Sequence, residues 1–264
     1  MSNNFTRHVV SHLSRHFVTL SCEQTLPGEE GRTTSVASGF IIEILGEWFY
    51  LTAGHILRRV KQAIDAGSAF DIWRFGDPES RAGAIGTSVP YGFAVSDWYV
   101  LDDESLGFDY AVMHLSELYR RQLEAGGTVA IGYKAWGNHV QNPSQWALVG
   151  IPSESVSKAG PSRINGRLVF AMLEACPPPP LAGQRAENQF YAAITGEVSV
   201  FNDADGLSGS PVFTIYKFEE EWRYKIVGVQ SAWYQTSRVL AICPIESFAT
   251  SLRESLAEAR LAGG

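Results

Sequence analysis

The chain has 264 residues, 45% of them hydrophobic, and a formal net charge of −7 from 21 basic and 28 acidic side chains. That length and apolar content support one large or two smaller cored units and exclude wholesale disorder. The acidic balance argues against a nucleic-acid surface, and no run reaches the ~18 apolar residues of a membrane span. Cys22, Cys176 and Cys243 are widely spaced and odd in number, which fits neither a disulfide framework nor a zinc pattern. Residues 1–8 lack a basic-then-apolar leader, so a reducing, cytoplasmic setting is expected.

His8, His12 and His16 recur every four residues, a spacing that would align three imidazoles on one helical face. Without a further ligand this reads as the polar face of a surface segment rather than a metal site. The β-prone run Phe17–Cys22 ends in the turn cluster Pro27-Gly28-Glu29-Glu30-Gly31. Ser38–Leu45 and Trp48–Thr52 read as a hairpin turning at Gly46-Glu47. The second strand runs straight into Ala53-Gly54-His55. There the period changes, because Ile56, Leu57, Val60, Ala63 and Ile64 fit an amphipathic helix ending near Gly67. A histidine at such a junction is fixed from both sides, as a positioned base requires.

Residues 69–75 and 93–101 read as strands, with a loop at 88–92. Asp109 stands at the mouth of the apolar strand Tyr110–Leu115, placed either to cap a turn or to orient a histidine. Ser116 N-caps a short helix to Ala125. The stretch that follows, rich in Gly, Asn and Pro, divides the chain into units 1–130 and 131–264. In the second unit, 146–152, 166–173 and 190–194 read as strands, and Pro177–Pro180 as a stiff spacer. The acidic run Glu219-Glu220-Glu221 reads as a solvated hairpin tip between later strands. From Ile245 a helix carries Ile245, Phe248, Leu252 and Leu256 on one face, expected to pack on the second unit.

The most informative stretch is Asp205-Gly206-Leu207-Ser208-Gly209-Ser210-Pro211. Glycines on both sides of Ser208 allow positive φ and close backbone approach, and β-prone residues resume after the proline. Such a loop presents one hydroxyl and several free N–H groups together, the requirement of a nucleophile beside an oxyanion site. An α/β-hydrolase elbow is excluded, because Ser210 stands where its last glycine belongs and no acid-then-histidine pair follows the serine.

Taken in order, Thr52-Ala53-Gly54-His55, Phe108-Asp109-Tyr110-Ala111-Val112 and Gly206-Leu207-Ser208-Gly209-Ser210-Pro211 resemble the trypsin-like (chymotrypsin-fold) serine peptidases. The resemblance runs from about Phe17 to the terminal helix, and the hairpin before His55 looks like that of bacterial members. It implies an all-β fold of two packed six-stranded antiparallel barrels, with a helix after His55 and another at the C-terminus. It further implies Ser208 as nucleophile, His55 as base and then acid, and Asp109 as the residue that orients His55. The N–H groups of Gly206 and Ser208 would form the oxyanion hole. By position, Ser231, Ala232 and Trp233 match the strand that pairs with substrate backbone, Trp233 narrowing the primary pocket, and Asn202 falls at that pocket's base. Leu207 replaces the aspartate that pairs with a freshly cut N-terminus in digestive members, so activation by that route is not expected. The implied partner is a protein or peptide substrate, with no cofactor, metal, nucleic acid or membrane. The rival expectation is an inactive peptidase fold serving as a binding or regulatory module.

Overall fold

In a computed structural model, residues 3–76, 88–140, 146–158, 164–195 and 203–263 are described. Helix α1 (Asn3–Leu13) leads through a short turn into the first sheet. That sheet holds β1 (Phe17–Thr25), β2 (Arg32–Ile44), β3 (Glu47–Thr52), β4 (Ala69–Gly76), β5 (Val89–Pro90), β6 (Trp98–Asp103) and β7 (Phe108–His114). Its order is β5-β4-β1-β2-β3-β7-β6. Helix α2 (Gly54–Asp65) follows β3 and α3 (Glu117–Ala125) follows β7. The second sheet uses β8 (Trp146–Gly150), then, after a small ribbon of β9 (Ser157–Lys158) and β10 (Ile164–Asn165), β11 (Val169–Ala175) and β12 (Phe190–Thr195). With β13 (Pro211–Phe218), β14 (Glu221–Tyr234) and β15 (Val239–Pro244) it closes as the six-stranded barrel β11-β12-β15-β14-β13-β8. Helix α4 (Ile245–Gly263) ends the chain.

The second sheet is thus the expected six-stranded barrel, whereas the first has seven strands among the described residues. The extra one is β5, in the stretch read as a loop, where Val89 and Pro90 pair with Phe75 and Arg74. Pro90 lacks an N–H, and an edge position like this one tolerates that. Strand β6 starts at Trp98 rather than near Phe93, because residues 95–97 form a 3-10 turn. Both tight hairpins use two central residues with φ > 0, Leu45-Gly46 and Glu219-Glu220, as the twist of the flanking strands favours. The acidic run is therefore a hairpin tip.

Ile131 still bridges to Ile42 of β2, whereas Trp136 bridges to Ile226 of β14, so the chain crosses between sheets from Ile131 to Trp136. A shared core fills the seam, drawing Phe40, Leu51 and Tyr110 from the first sheet and Val149, Phe213 and Val229 from the second. Helix α4 packs against β14 of the second sheet, as expected, and reaches the first sheet as well. Its apolar stripe lies in this seam, with Phe248 stacked on Tyr110 of β7 at 4.3 Å and 4°. Strand β15 ends beside β7, and Tyr110 Oη donates to the Pro244 carbonyl at 2.7 Å, so the helix that follows meets the first sheet. Arg260 near its end pairs with Glu47 at 3.1 Å.

The three spaced histidines do not share a surface face. On α1 His8 is exposed and His12 half-buried, ring centroids 4.2 Å apart, while His16 lies past the helix and is buried. Its Nδ1 stands 2.6 Å from the Val129 carbonyl and its Nε2 2.7 Å from Tyr224 Oη. A carbonyl only accepts, so Nδ1 carries the proton and Nε2 accepts from the tyrosine of β14. Burial, helped by nearby Arg15 and His12 and opposed by the Val129 bond, lowers its pKa from 6.5 to about 4. The unfolded chain therefore takes this proton first. The neutral ring's contribution is complete above pH 6.5 and is lost as pH falls toward 4, by about 3 kcal/mol in all. His16→Asn should remove that slope from a series of urea unfolding curves, while lowering stability at pH 7.5. Parallel pH profiles for the two proteins would contradict the assignment.

Candidate active site

The strand-to-helix junction fixes His55. Thr52 closes β3, Ala53 is extended, and α2 begins at Gly54. A Cβ at Gly54 would stand 2.8 Å from Asp102 Cβ and 3.0 Å from the Tyr110 carbonyl, so glycine lets the helix start lie on β6 and β7. The acid across the junction is Asp109 of β7. Its Oδ1 accepts the His55 backbone N–H at 2.7 Å, and its Oδ2 accepts Nδ1–H of the ring at 2.8 Å. One carboxylate therefore satisfies an orphan donor of the helix start and sets the imidazole's tautomer. The ring's other nitrogen, Nε2, is left as an acceptor.

Asp109 has a third donor, Ser231 Oγ, at 2.5 Å. The register of β14 against β15 shifts between Gln230 and Ala232, a bulge that frees Ser231 from the ladder. Ser231, assigned by sequence position to substrate binding, has its hydroxyl on the carboxylate and its carbonyl within reach of the Ser208 hydroxyl. Gln189 supports this group, donating from Nε2 to the Gly107 carbonyl at 3.0 Å and to Ser231 Oγ at 3.3 Å. Burial of Asp109 opposes ionisation, but the bonds and charge of His55 and the bond from Ser231 outweigh it, holding the carboxyl below its ordinary value. Its contribution to stability is thus present above the usual carboxylate range and fades only as pH falls through the lowered value.

Ser208 sits on a turn built by its neighbours. Leu207 is fully buried in the second barrel's core and anchors the loop by apolar packing. Gly209 has φ +89°, and a Cβ there would lie 2.2 Å from both the Ser38 carbonyl and Thr52 Oγ1. Gly206 has φ +85°, with Ser153 N only 2.6 Å from where its Cβ would be. The Asp205 carbonyl accepts Ser153 N–H at 2.7 Å, and the Gly206 carbonyl accepts the buried Ser38 hydroxyl at 2.9 Å. Because a trans peptide points its N–H away from its carbonyl, the Ser153 bond turns the Gly206 N–H to the opposite side. Among the described residues neither that N–H nor the one of Ser208 has a partner. The Ser208 hydroxyl donates to the Ser231 carbonyl at 3.4 Å.

The folded chain brings His55, Asp109, Ser208, Gly206 and Ser231 together, with Ala232 and Trp233 lining a cavity of about 530 Å³ beside Ser208. Asn202 lies outside the described residues. Sequence reasoning missed Ser38, Ser153 and Gln189; the only trace of Ser38 is a polar residue opening an apolar run. Two thiols border this group, Cys22 and Cys243. Burial pushes Cys22 up to about 12, and burial together with the Asp109 charge does the same to Cys243. Among the described residues no cluster of three or more His, Cys, Asp or Glu could hold a metal, and no helix is long and apolar enough to cross a membrane.

No protein-family model matches the sequence, and no curated protein does. Among solved structures, the chain is similar to a thermostable serine protease, AL20, from an extremophilic microorganism. The TM-score is 0.50 at 15% identity, over 92% of this chain and 97% of that one. Catalytically inactive tobacco etch virus protease complexed with substrate follows, with TM-score 0.49 at 13% identity over 94% and 86%. Protease Anisep from Arthrobacter nicotinovorans has TM-score 0.43 at 17% identity over 87% and 90%. The fold is chymotrypsin-like: two antiparallel sheets, a helix after His55 and a terminal helix.

Proposed function

We propose that the protein is a serine endopeptidase that cleaves protein or peptide substrates through Ser208, His55 and Asp109. The observation that carries this reading is the Asp109 carboxylate, which takes both the backbone and the ring N–H of His55 and leaves Nε2 as an acceptor, in a histidine that lines the same cavity as Ser208. In the reaction, Ser208 Oγ exchanges the Ser231 carbonyl for His55 Nε2, gives it the proton and attacks the scissile carbonyl carbon. Catalytic bonds of this kind often form only once substrate is bound. The Gly206 and Ser208 N–H groups meet the developing oxyanion. The C–N bond then breaks as His55 passes its proton to the leaving amine, and water, deprotonated by His55, releases the acyl group from Ser208 as a carboxylic acid. The Ser231 carbonyl, freed of the Ser208 hydroxyl, accepts an N–H of the substrate backbone on the acyl side.

Incubating the protein with a random peptide library and sequencing the new N-termini tests the reading; cleavage supports it and an uncut library opposes it. Ser38 enters as the residue that holds the Gly206 carbonyl from across the seam. Ser38→Ala is expected to lower kcat about tenfold with a smaller change in KM, since a misplaced oxyanion donor acts on the transition state. Unchanged kcat in a folded Ser38→Ala protein would show that the loop keeps its geometry without this bond.

A further inference from the structure

Two cavities meet at Ser208. The larger runs along Ser231, Ala232 and Trp233, the acyl side of the reading above. The smaller, of about 280 Å³, runs the other way, between α2 and strands β1, β2 and β4. They share His55, Arg59, Asp205 and Ser208, so a substrate with its acyl part in the first must send its leaving part toward the second. His55, the group that protonates the leaving amine, stands at the junction.

The smaller cavity is mostly apolar. Leu20, Val36, Val60, Ala63, Phe70 and Trp73 line it. Leu20 and Trp73 belong to the buried core of the first sheet, while Val60 and Phe70 are partly buried at its edge. The core therefore runs out to the surface here, beside the nucleophile. Ala63 of α2 lines the same cavity as Phe70 and Trp73 of β4, and its side chain is a single methyl, so a larger residue there would take up part of the space. The volume falls just below the ~300–1,000 Å³ of ordinary ligand pockets, which suits one large side chain.

We infer that this groove is a leaving-side subsite that takes a large apolar side chain from the first two residues beyond the scissile bond; the inference rests on the peptidase reading. Burying such a side chain against this wall favours Phe or Leu over Gly by about 10- to 50-fold. Acyl transfer reads this directly. An N-blocked amino acid p-nitrophenyl ester acylates Ser208, and dipeptide amides of the forms Xaa-Gly and Gly-Xaa then compete with water. The amine nitrogen attacks the ester carbonyl, the amide bond forms as the Ser208 ester C–O bond breaks, and the amine's proton passes through His55 to Ser208 Oγ. The ratio of amide to acid product depends only on the leaving side.

Phe or Leu at one of the two positions should raise that ratio at least tenfold over Gly or Asp, and Ala63→Phe, which fills the groove, should bring the values together. Val60→Gln, with a polar wall in place of an apolar one, should narrow them as well. Equal capture of all the amides by the wild-type protein would overturn the inference, as would a preference that survives both substitutions. If the ester never acylates Ser208, the peptidase reading fails first and this inference falls with it; acylation without selectivity sinks the inference alone.

Discussion

Ser208→Ala is expected to lower kcat by ~10⁴–10⁶, the range found when a member of such a triad is removed. The size follows from the geometry. Ser208 lines both cavities together with His55, and among the described residues its own N–H and that of Gly206 have no partner. Alanine leaves the proposed oxyanion donors and the binding surface in place, so substrate should still bind while covalent chemistry stops. Only the slow residual hydrolysis assisted by those donors remains. Ser208 donates a single 3.4 Å bond to the Ser231 carbonyl, and its loss should move stability by less than about 1 kcal/mol. Peptide turnover, measured beside an unfolding curve, separates the two effects. Turnover within tenfold of wild type by a folded variant would contradict the mechanism.

Asp109→Asn should cost ~10⁴ in kcat at neutral pH, the loss known for the equivalent change in a well-studied triad. Asp109 here accepts from three donors: the His55 backbone, the His55 ring and Ser231. An asparagine amide has one accepting oxygen. Its NH₂ would face Nδ1 and drive the ring proton to Nε2, the atom that has to accept from Ser208. The substitution also removes a charge from the first turn of α2, where the helix dipole favours an anion, and should lower stability by about 1 kcal/mol. Kinetics on the folded variant test the first effect and thermal unfolding the second. Loss of stability with activity retained would make Asp109 a helix cap and nothing more.

The sequence made the site legible where local chemistry and chain order agree. His55 is marked by a change of hydrophobic period, and Ser208 by two glycines whose positive φ the structure uses. Asp109 had two open readings, a turn cap or a partner of histidine. The structure gives it a helix-start N–H and the ring N–H together, through its two oxygens. The remainder depends on contacts far apart in the chain. Ser231 reaches Asp109 across 122 positions, and Ser38 reaches Gly206 across 168; neither pairing has a periodic or spacing signal. The α4 stripe was readable from its period, but the surface that receives it is set by where β15 ends. His16 shows the opposite failure. A clean four-residue spacing suggested a shared polar face, yet the helix stops at Leu13 and the last histidine turns into the seam.

Mass spectrometry of the intact protein after treatment with a peptidyl phosphonate, followed by peptide mapping, tests the catalytic role of Ser208 most directly. The account predicts one adduct per chain, located on Ser208 and absent from Ser208→Ala. It also predicts slow labelling of Asp109→Asn, because the phosphonate reacts with a serine that His55 has activated. No adduct on Ser208 in the folded wild-type protein would contradict the account and favour a peptidase fold that binds without cutting.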